Sequence, residues 1–299
     1  MIKSLLLLIL ASLAAFFIAG CKHSEHTHPV VTVSIEPQKW LLERIGGDRI
    51  EVRTFLAGDA NPESFDPALS VIRDAARSDA FMRMGHLPWE NSLIEKVVAG
   101  NESLLVVDTS EGIDLIEGSH GHHHHPGMSE VDPHTWSSVK NARIMAANML
   151  KGLQTIDPAG SDYYEKNYRA LDASLDSLDK SFASRLAPLK GESFLVWHPS
   201  LSYFARDYGL NQIAMGMENK EMTLPMMQKK LDEAASHRAK VFFIQPQMDA
   251  GGKAEPIIAR TGAVKQVIHP LSPEWQAELE VIVDALLNTS SDNVIADGK

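Results

Sequence analysis

The chain has 299 residues, 44% apolar and 22% charged, the balance of a globular protein long enough for two cored lobes. Thirty-nine acidic residues against 28 basic ones give a formal net charge of −11 with no basic cluster, which argues against nucleic acid and acidic lipid as partners. Cys21 is the only cysteine, so an intramolecular disulfide and a thiolate metal cluster are excluded and metal chemistry must use imidazole and carboxylate.

Residues 1–20 read as a signal peptide. Lys3 supplies the positive start, and the apolar run from Ser4 to Ile18 is too short to span a bilayer with ordinary flanks. The closing Ile18-Ala19-Gly20-Cys21 resembles the lipobox of bacterial lipoproteins, in which cleavage precedes the cysteine and its thiol carries the lipid. Cys21 is therefore the expected lipidation site, and residues 21–29, with His23, His26 and His28, the expected polar tether.

From Val30 onward strand-like and helix-like segments alternate, which predicts an α/β fold of two lobes with parallel sheets. Val30–Ile35, Arg49–Leu56, Ala80–Met84 and Ser103–Asp108 read as strands. Helices are expected from Pro37 to Ile45, over Ala68–Ser78, Trp89–Val98 and Ser137–Leu153, making an N-terminal lobe of residues 30–155. Tyr164, Tyr168, Leu171, Leu175, Leu178, Phe182 and Leu186 then fall at 4-3-4-3-4-4 spacing, which predicts one amphipathic helix of about 25 residues. Ser and Asp beside this stripe make a poor dimer seam, so residues 156–188 are read as one long rigid helix connecting the lobes of a monomer. In residues 189–299, strands are expected at Phe194–Trp197, Val241–Ile244 and Val264–Ile268. Helices are expected over Leu201–Tyr208, from Leu224 to Ala239 with Thr223 as N-cap, over Lys253–Arg260, and from Trp275 to Leu286. The tail from Thr289 is polar and expected to be loose.

Between the fourth strand and the Ser137 helix lies a loop, residues 117–130, that holds His120, His122, His123, His124 and His125. Five imidazoles among Gly, Ser and Pro cannot pack a core. They suit auxiliary, exchanging capture of metal, with an inert insert as the alternative.

A sparser set defines a site. Ligands in open parallel sheets bind beyond the carboxyl ends of the strands. Glu63 follows the second strand, His134 follows Asp132-Pro133 before a helix, His198 directly follows Phe194–Trp197, and His269 directly follows Val267-Ile268. Two candidates per lobe at equivalent ends predict a metal site of Glu63, His134, His198 and His269 in the inter-lobe cleft.

Here the chain resembles the zinc and manganese cluster (cluster A-I) of substrate-binding lipoproteins of bacterial ABC importers. The resemblance covers nearly everything from Val30 to Leu287. It is carried by Val33-Ser34-Ile35-Glu36-Pro37, Ile45-Gly46-Gly47-Asp48, Asn61-Pro62-Glu63-Ser64-Phe65-Asp66-Pro67, Asp132-Pro133-His134-Thr135-Trp136, the stretch from Val196 to Ala205 leading to Tyr208-Gly209-Leu210, and His269-Pro270-Leu271. Two positions depart from the family pattern. Glu63 stands where the family usually has a His, and His269 where it usually has an Asp, so the total of three imidazoles and one carboxylate is unchanged. Asp66 is the fallback carboxylate.

Three imidazoles and one carboxylate suit tetrahedral Zn²⁺, whereas Mn²⁺ prefers oxygen-rich shells, and the manganese members typically carry a Glu at the position of His198. The resemblance implies an extracytoplasmic, membrane-anchored protein (periplasm or outer face of the cell membrane) that captures Zn(II) and delivers it to an ABC permease. The alternatives are a binder of manganese or another divalent metal, and a metal-buffering or adhesive surface lipoprotein without a transporter. A zinc hydrolase would need an open metal position, and four protein ligands leave none. Imidazoles ligate only when neutral, so affinity is expected to fall below about pH 6.5. His86 and His237 read as loop or solvated residues, Trp136 and Trp197 as walls of the site or packing, and Trp89-Glu90 as ordinary core and surface.

Overall fold

Val30–Val33 (β1) is buried along its whole length, as a strand covered on both faces of a parallel sheet must be. It lies inside a four-stranded sheet with Glu51–Thr54 (β2), Ala80–Arg83 (β3) and Leu105–Asp108 (β4), in the order β2-β1-β3-β4 and parallel throughout. A second parallel sheet repeats this order as β6-β5-β7-β8, from Ser193–Val196 (β5), Asn211–Ala214 (β6), Val241–Ile244 (β7) and Val264–Val267 (β8). The computed structural model describes residues 28–56, 65–117, 131–216, 223–248, 252 and 254–296.

The helices of the first half are Glu36–Gly46 (α1), Leu69–Ala75 (α2), Glu90–Gly100 (α3) and Val139–Ile156 (α4). Ser138 caps α4, its hydroxyl accepting the Asn141 N–H at 3.0 Å. Ser161–Leu186 (α5) has 26 residues, about 39 Å at 1.5 Å per residue. It buries Tyr164, Leu171, Leu175, Leu178, Phe182 and Leu186, most of the stripe read from the sequence. The second half adds Ser202–Tyr208 (α6), Leu224–Ser236 (α7), Glu255–Thr261 (α8) and Trp275–Ala296 (α9).

The second sheet separates its faces by the period of two expected of strands. Phe194, Val196, Val241 and Phe243 join the main core, while Leu195, Ile213, Phe242 and Ile244 form a smaller core with Ala234 and Ile257 of α7 and α8. The main core is not confined to one lobe. It runs from β1, β3 and α1 through α4 and α5 to Tyr203 and Phe204 of α6 and Trp275, Leu279 and Ile282 of α9.

Three sequence expectations need correction. Strand β6 was not anticipated, because Asn211-Gln212-Ile213-Ala214 buries only Ile213 and holds an edge position through its ladder to β5. The C-terminal segment is helical to Ala296 rather than loose from Thr289, whose hydroxyl bonds back to Ala285 O at 3.0 Å and so satisfies itself within the helix. Helix α7 ends at Ser236, and Thr223 occupies its N-cap position without a side-chain bond. No helix among the described residues is long and apolar enough to cross a membrane.

Candidate metal centre

A cavity of about 390 Å³ opens where strand ends of the second lobe meet the first. Glu36, just after β1, lines it with His134 and Trp136 from the turn before α4. The second lobe contributes His198 and Ser200 after β5, Gln245 to Met248 after β7, and His269 after β8. The gap between β5 and β7 is the switch point of the second sheet, the position where doubly wound sheets hold ligands.

His134 is buried, and its surroundings set its ring. Asp132 Oδ1 accepts both the His134 backbone N–H at 2.9 Å and Nδ1 at 2.8 Å. A carboxylate on Nδ1 puts the proton there and turns Nε2 into a lone-pair donor facing the cavity. Burial alone would push the Asp132 carboxyl up, but its interactions with His134, the hydrogen bonds foremost, outweigh it and hold Asp132 below the usual carboxylate range. Tyr203 of α6 completes the arm: its hydroxyl donates to Asp132 O at 2.7 Å and accepts the Ile116 N–H at 3.2 Å.

His198 comes from the other lobe, and its Nε2 lies 2.9 Å from His134 Nε2. His269 lines the same cavity and is exposed, with its backbone N–H held by Glu278 Oε1 of α9 at 2.6 Å. The indole of Trp136 donates to Pro270 O at 3.0 Å and that of Trp275 to Trp136 O at 2.8 Å, so the segments after His134 and His269 are tied directly.

Of the four expected ligands, then, His134 and His198 are in contact and His269 shares their cavity. Glu63 lies outside the described residues, as do Cys21 and His120, His122, His123, His124 and His125. Among the described residues no group of three or more His, Cys, Asp or Glu is close enough to hold a metal ion. Asp66 is exposed and does not line the cavity. Glu36 is the only carboxylate among the described lining residues, and no hydrogen bond or ion pair engages it. It belongs to the Ser34-Ile35-Glu36-Pro37 motif but was given no role from sequence, since nothing local shows that β1 ends beside His134.

The remaining residues separate cleanly. Trp136 walls the cavity, whereas Trp197 packs on the smaller core. His237 is exposed. His86 is absent from the cavity lining, and burial pushes its pKa down. Glu90, read from sequence as ordinary, is fully buried. It accepts the Met84 and Gly85 N–H groups, each at 2.7 Å, and the Ser34 hydroxyl, so it braces the ends of β1 and β3.

Two parallel α/β lobes, a long helix between them and two imidazoles in contact across their cleft define a two-lobed α/β protein of the binding-protein type. Over residues 31–289 the chain matches the family described as "ZnuA: Zinc-uptake complex component A periplasmic", and it belongs to that family. It is 27% identical over 221 residues to "Zinc-binding lipoprotein AdcA" of Streptococcus pneumoniae (strain ATCC BAA-255 / R6), a match covering 70% of this chain and 43% of that protein. The chain thus spans less than half of that relative. It is 30% identical over 222 residues to a "Putative metal-binding protein" of Chlamydia muridarum, covering 74% of this chain and 76% of the relative. A solved structure titled "Crystal structure of ZnuA" superposes with a TM-score of 0.79 at 30% identity, over 87% of this chain and 98% of that one.

Proposed function

We propose that this protein captures Zn²⁺ outside the cytoplasm and delivers it to an ABC-type importer. The observation that carries this reading is the 2.9 Å approach of His134 and His198, one from each lobe, inside a cavity that His269 also lines. Imidazole-rich lining favours zinc over manganese. The ligand set is Glu63, His134, His198 and His269. It is a site for cargo rather than for catalysis, because four protein ligands leave no position for a reacting water. The histidines from His120 to His125 collect zinc weakly for this site, and lipid on Cys21 holds the protein to the membrane.

The test is a titration of the mature, metal-free protein with Zn²⁺ against a chelator, beside His134→Ala and His198→Ala. One tight equivalent in the parent, lost in both variants while weaker equivalents remain, is the expected result. Tight binding unchanged in both variants would move the metal site elsewhere and reduce the protein to a metal buffer.

A further inference from the structure

One side chain of the cavity wall touches both the His134 arm and the His269 arm. The Trp136 ring lies against the His134 imidazole, with ring centroids 5.0 Å apart, and its indole N–H donates at 3.0 Å to the carbonyl of Pro270, the residue after His269. Trp136 is 2% exposed and lines the cavity with His134, His198 and His269. It is itself anchored from the core. The Trp275 indole donates to Trp136 O at 2.8 Å, and the Trp275 ring packs on Trp40 of α1 with centroids 5.1 Å apart.

The His269 arm carries its ring on a backbone whose polar groups are already engaged. The His269 N–H donates to Glu278 Oε1 at 2.6 Å, and the His269 carbonyl accepts the Ser272 N–H at 2.8 Å. The next carbonyl is the one that Trp136 holds. His269 is exposed, so its imidazole is free to turn about its side-chain bonds while the backbone stays in place. A buried indole N–H needs an acceptor somewhere. Here the acceptor stands 134 positions away, next to a candidate ligand, rather than in the turn that carries Trp136.

We propose that Trp136 is a positioning residue for the cargo: its indole bond to Pro270 fixes the reach of His269 relative to His134 and presents the third imidazole to an ion held by His134 and His198. The inference rests on the reading that these three histidines hold the cargo. In this role Trp136 adds no donor to the ion's shell. Ordering a loop as an ion arrives opposes binding, and an arm ordered beforehand removes that cost. Linkage makes the effect reciprocal, so a tie that favours binding through His269 is itself strengthened when the ion binds.

A double-mutant cycle tests the coupling. Trp136→Phe keeps an aromatic ring beside His134 but has no N–H to donate to Pro270. Its Zn²⁺ dissociation constant from chelator competition should rise about tenfold over the parent. With His269→Ala already in place, the same change should cost less than about twofold, because no ring is left to position. An equal rise in both backgrounds would mark Trp136 as merely structural and overturn the proposal, and so would no rise in the parent. A second measurement leaves Trp136 intact and serves if Trp136→Phe folds poorly. Hydrogen exchange of the Trp136 indole, followed by NMR, should slow about tenfold in the parent at saturating Zn²⁺ and should not slow in His269→Ala. Slowing that persists in His269→Ala, or none in the parent, would also overturn the proposal. His134→Ala, measured alongside, separates the two levels. If it abolishes tight binding while the cycle shows no coupling, the Trp136 inference fails alone. If it binds like the parent, the cargo reading fails and takes this inference with it.

Discussion

His134 Nε2 and His198 Nε2 stand 2.9 Å apart across the lobe boundary. Two imidazole nitrogens on one tetrahedral zinc, each at about 2.0–2.1 Å, are about 3.3 Å apart. The pair is thus set within about half an ångström of the spacing zinc requires. Because Asp132 keeps the His134 proton on Nδ1, the hydrogen between the two rings belongs to His198, and an arriving ion must displace it.

That arrangement makes Asp132 a positioning group. Asp132→Asn keeps an acceptor near Nδ1 but removes the charge, and zinc affinity should fall about 10- to 100-fold. Chelator competition at constant pH measures it, and an unchanged affinity would show that the carboxylate does not orient the ring.

Tyr203 reaches from α6 to both Ile116 and Asp132, so Tyr203→Phe strands a backbone N–H and a C=O in the interior. A stability loss of about 1–3 kcal/mol is expected, together with weaker zinc binding. Tyr208, on the same helix, bonds instead to Asp179 at 3.0 Å, remote from the Asp132 arm. Tyr208→Phe should lower stability and leave zinc affinity intact. Equal effects of both variants on affinity would remove any special role for Tyr203.

Glu90 makes stability depend on pH. Burial, partly opposed by its hydrogen bonds, pushes its carboxyl up from 4.5 to about 7. The folded state therefore holds this proton more tightly than the unfolded chain. Its stabilising contribution is complete below about pH 4.5 and is lost as pH rises to 7. From pH 5 to pH 8 this amounts to about 2 kcal/mol lost in the metal-free protein. Urea unfolding at both values should show that difference, and Glu90→Gln should shrink it by the same amount even though a lost acceptor lowers stability throughout. An equal difference in the variant would assign the pH dependence to other groups.

The base of the His-rich loop is built independently of its histidines. Glu117 and Val131 form an antiparallel bridge, and the Asp132 N–H donates to Ile116 O at 2.8 Å. Deleting residues 120–125 should leave the tight zinc equivalent in place and remove weaker ones, as equilibrium dialysis would report. Loss of the tight equivalent would put the main site in the loop.

Much of this architecture was legible in the sequence. Buried parallel strands such as Val241–Ile244 announce themselves as apolar runs, and the α5 stripe fixes a helix of nearly the observed length. His198 was legible because it directly follows such a run. What escaped depends on partners distant in sequence. The tie from Trp136 to Pro270 and the clamp of Tyr203 on Asp132 join residues 134 and 71 positions apart, and no local pattern marks them. Strand β6 escaped for another reason: an edge strand needs few apolar residues, so its composition resembles a loop.

The main apolar core that passes through α4, α5, α6 and α9 bears on how the proposed delivery of cargo would be signalled. The halves of the protein share an interior and so cannot swing apart like the jaws of a trap without wetting that interior. Loaded and empty forms should then melt as one unit and scatter X-rays with nearly the same envelope. A membrane partner would have to tell them apart by the texture of the rim, where the turns after β5, β7 and β8 surround the cavity mouth.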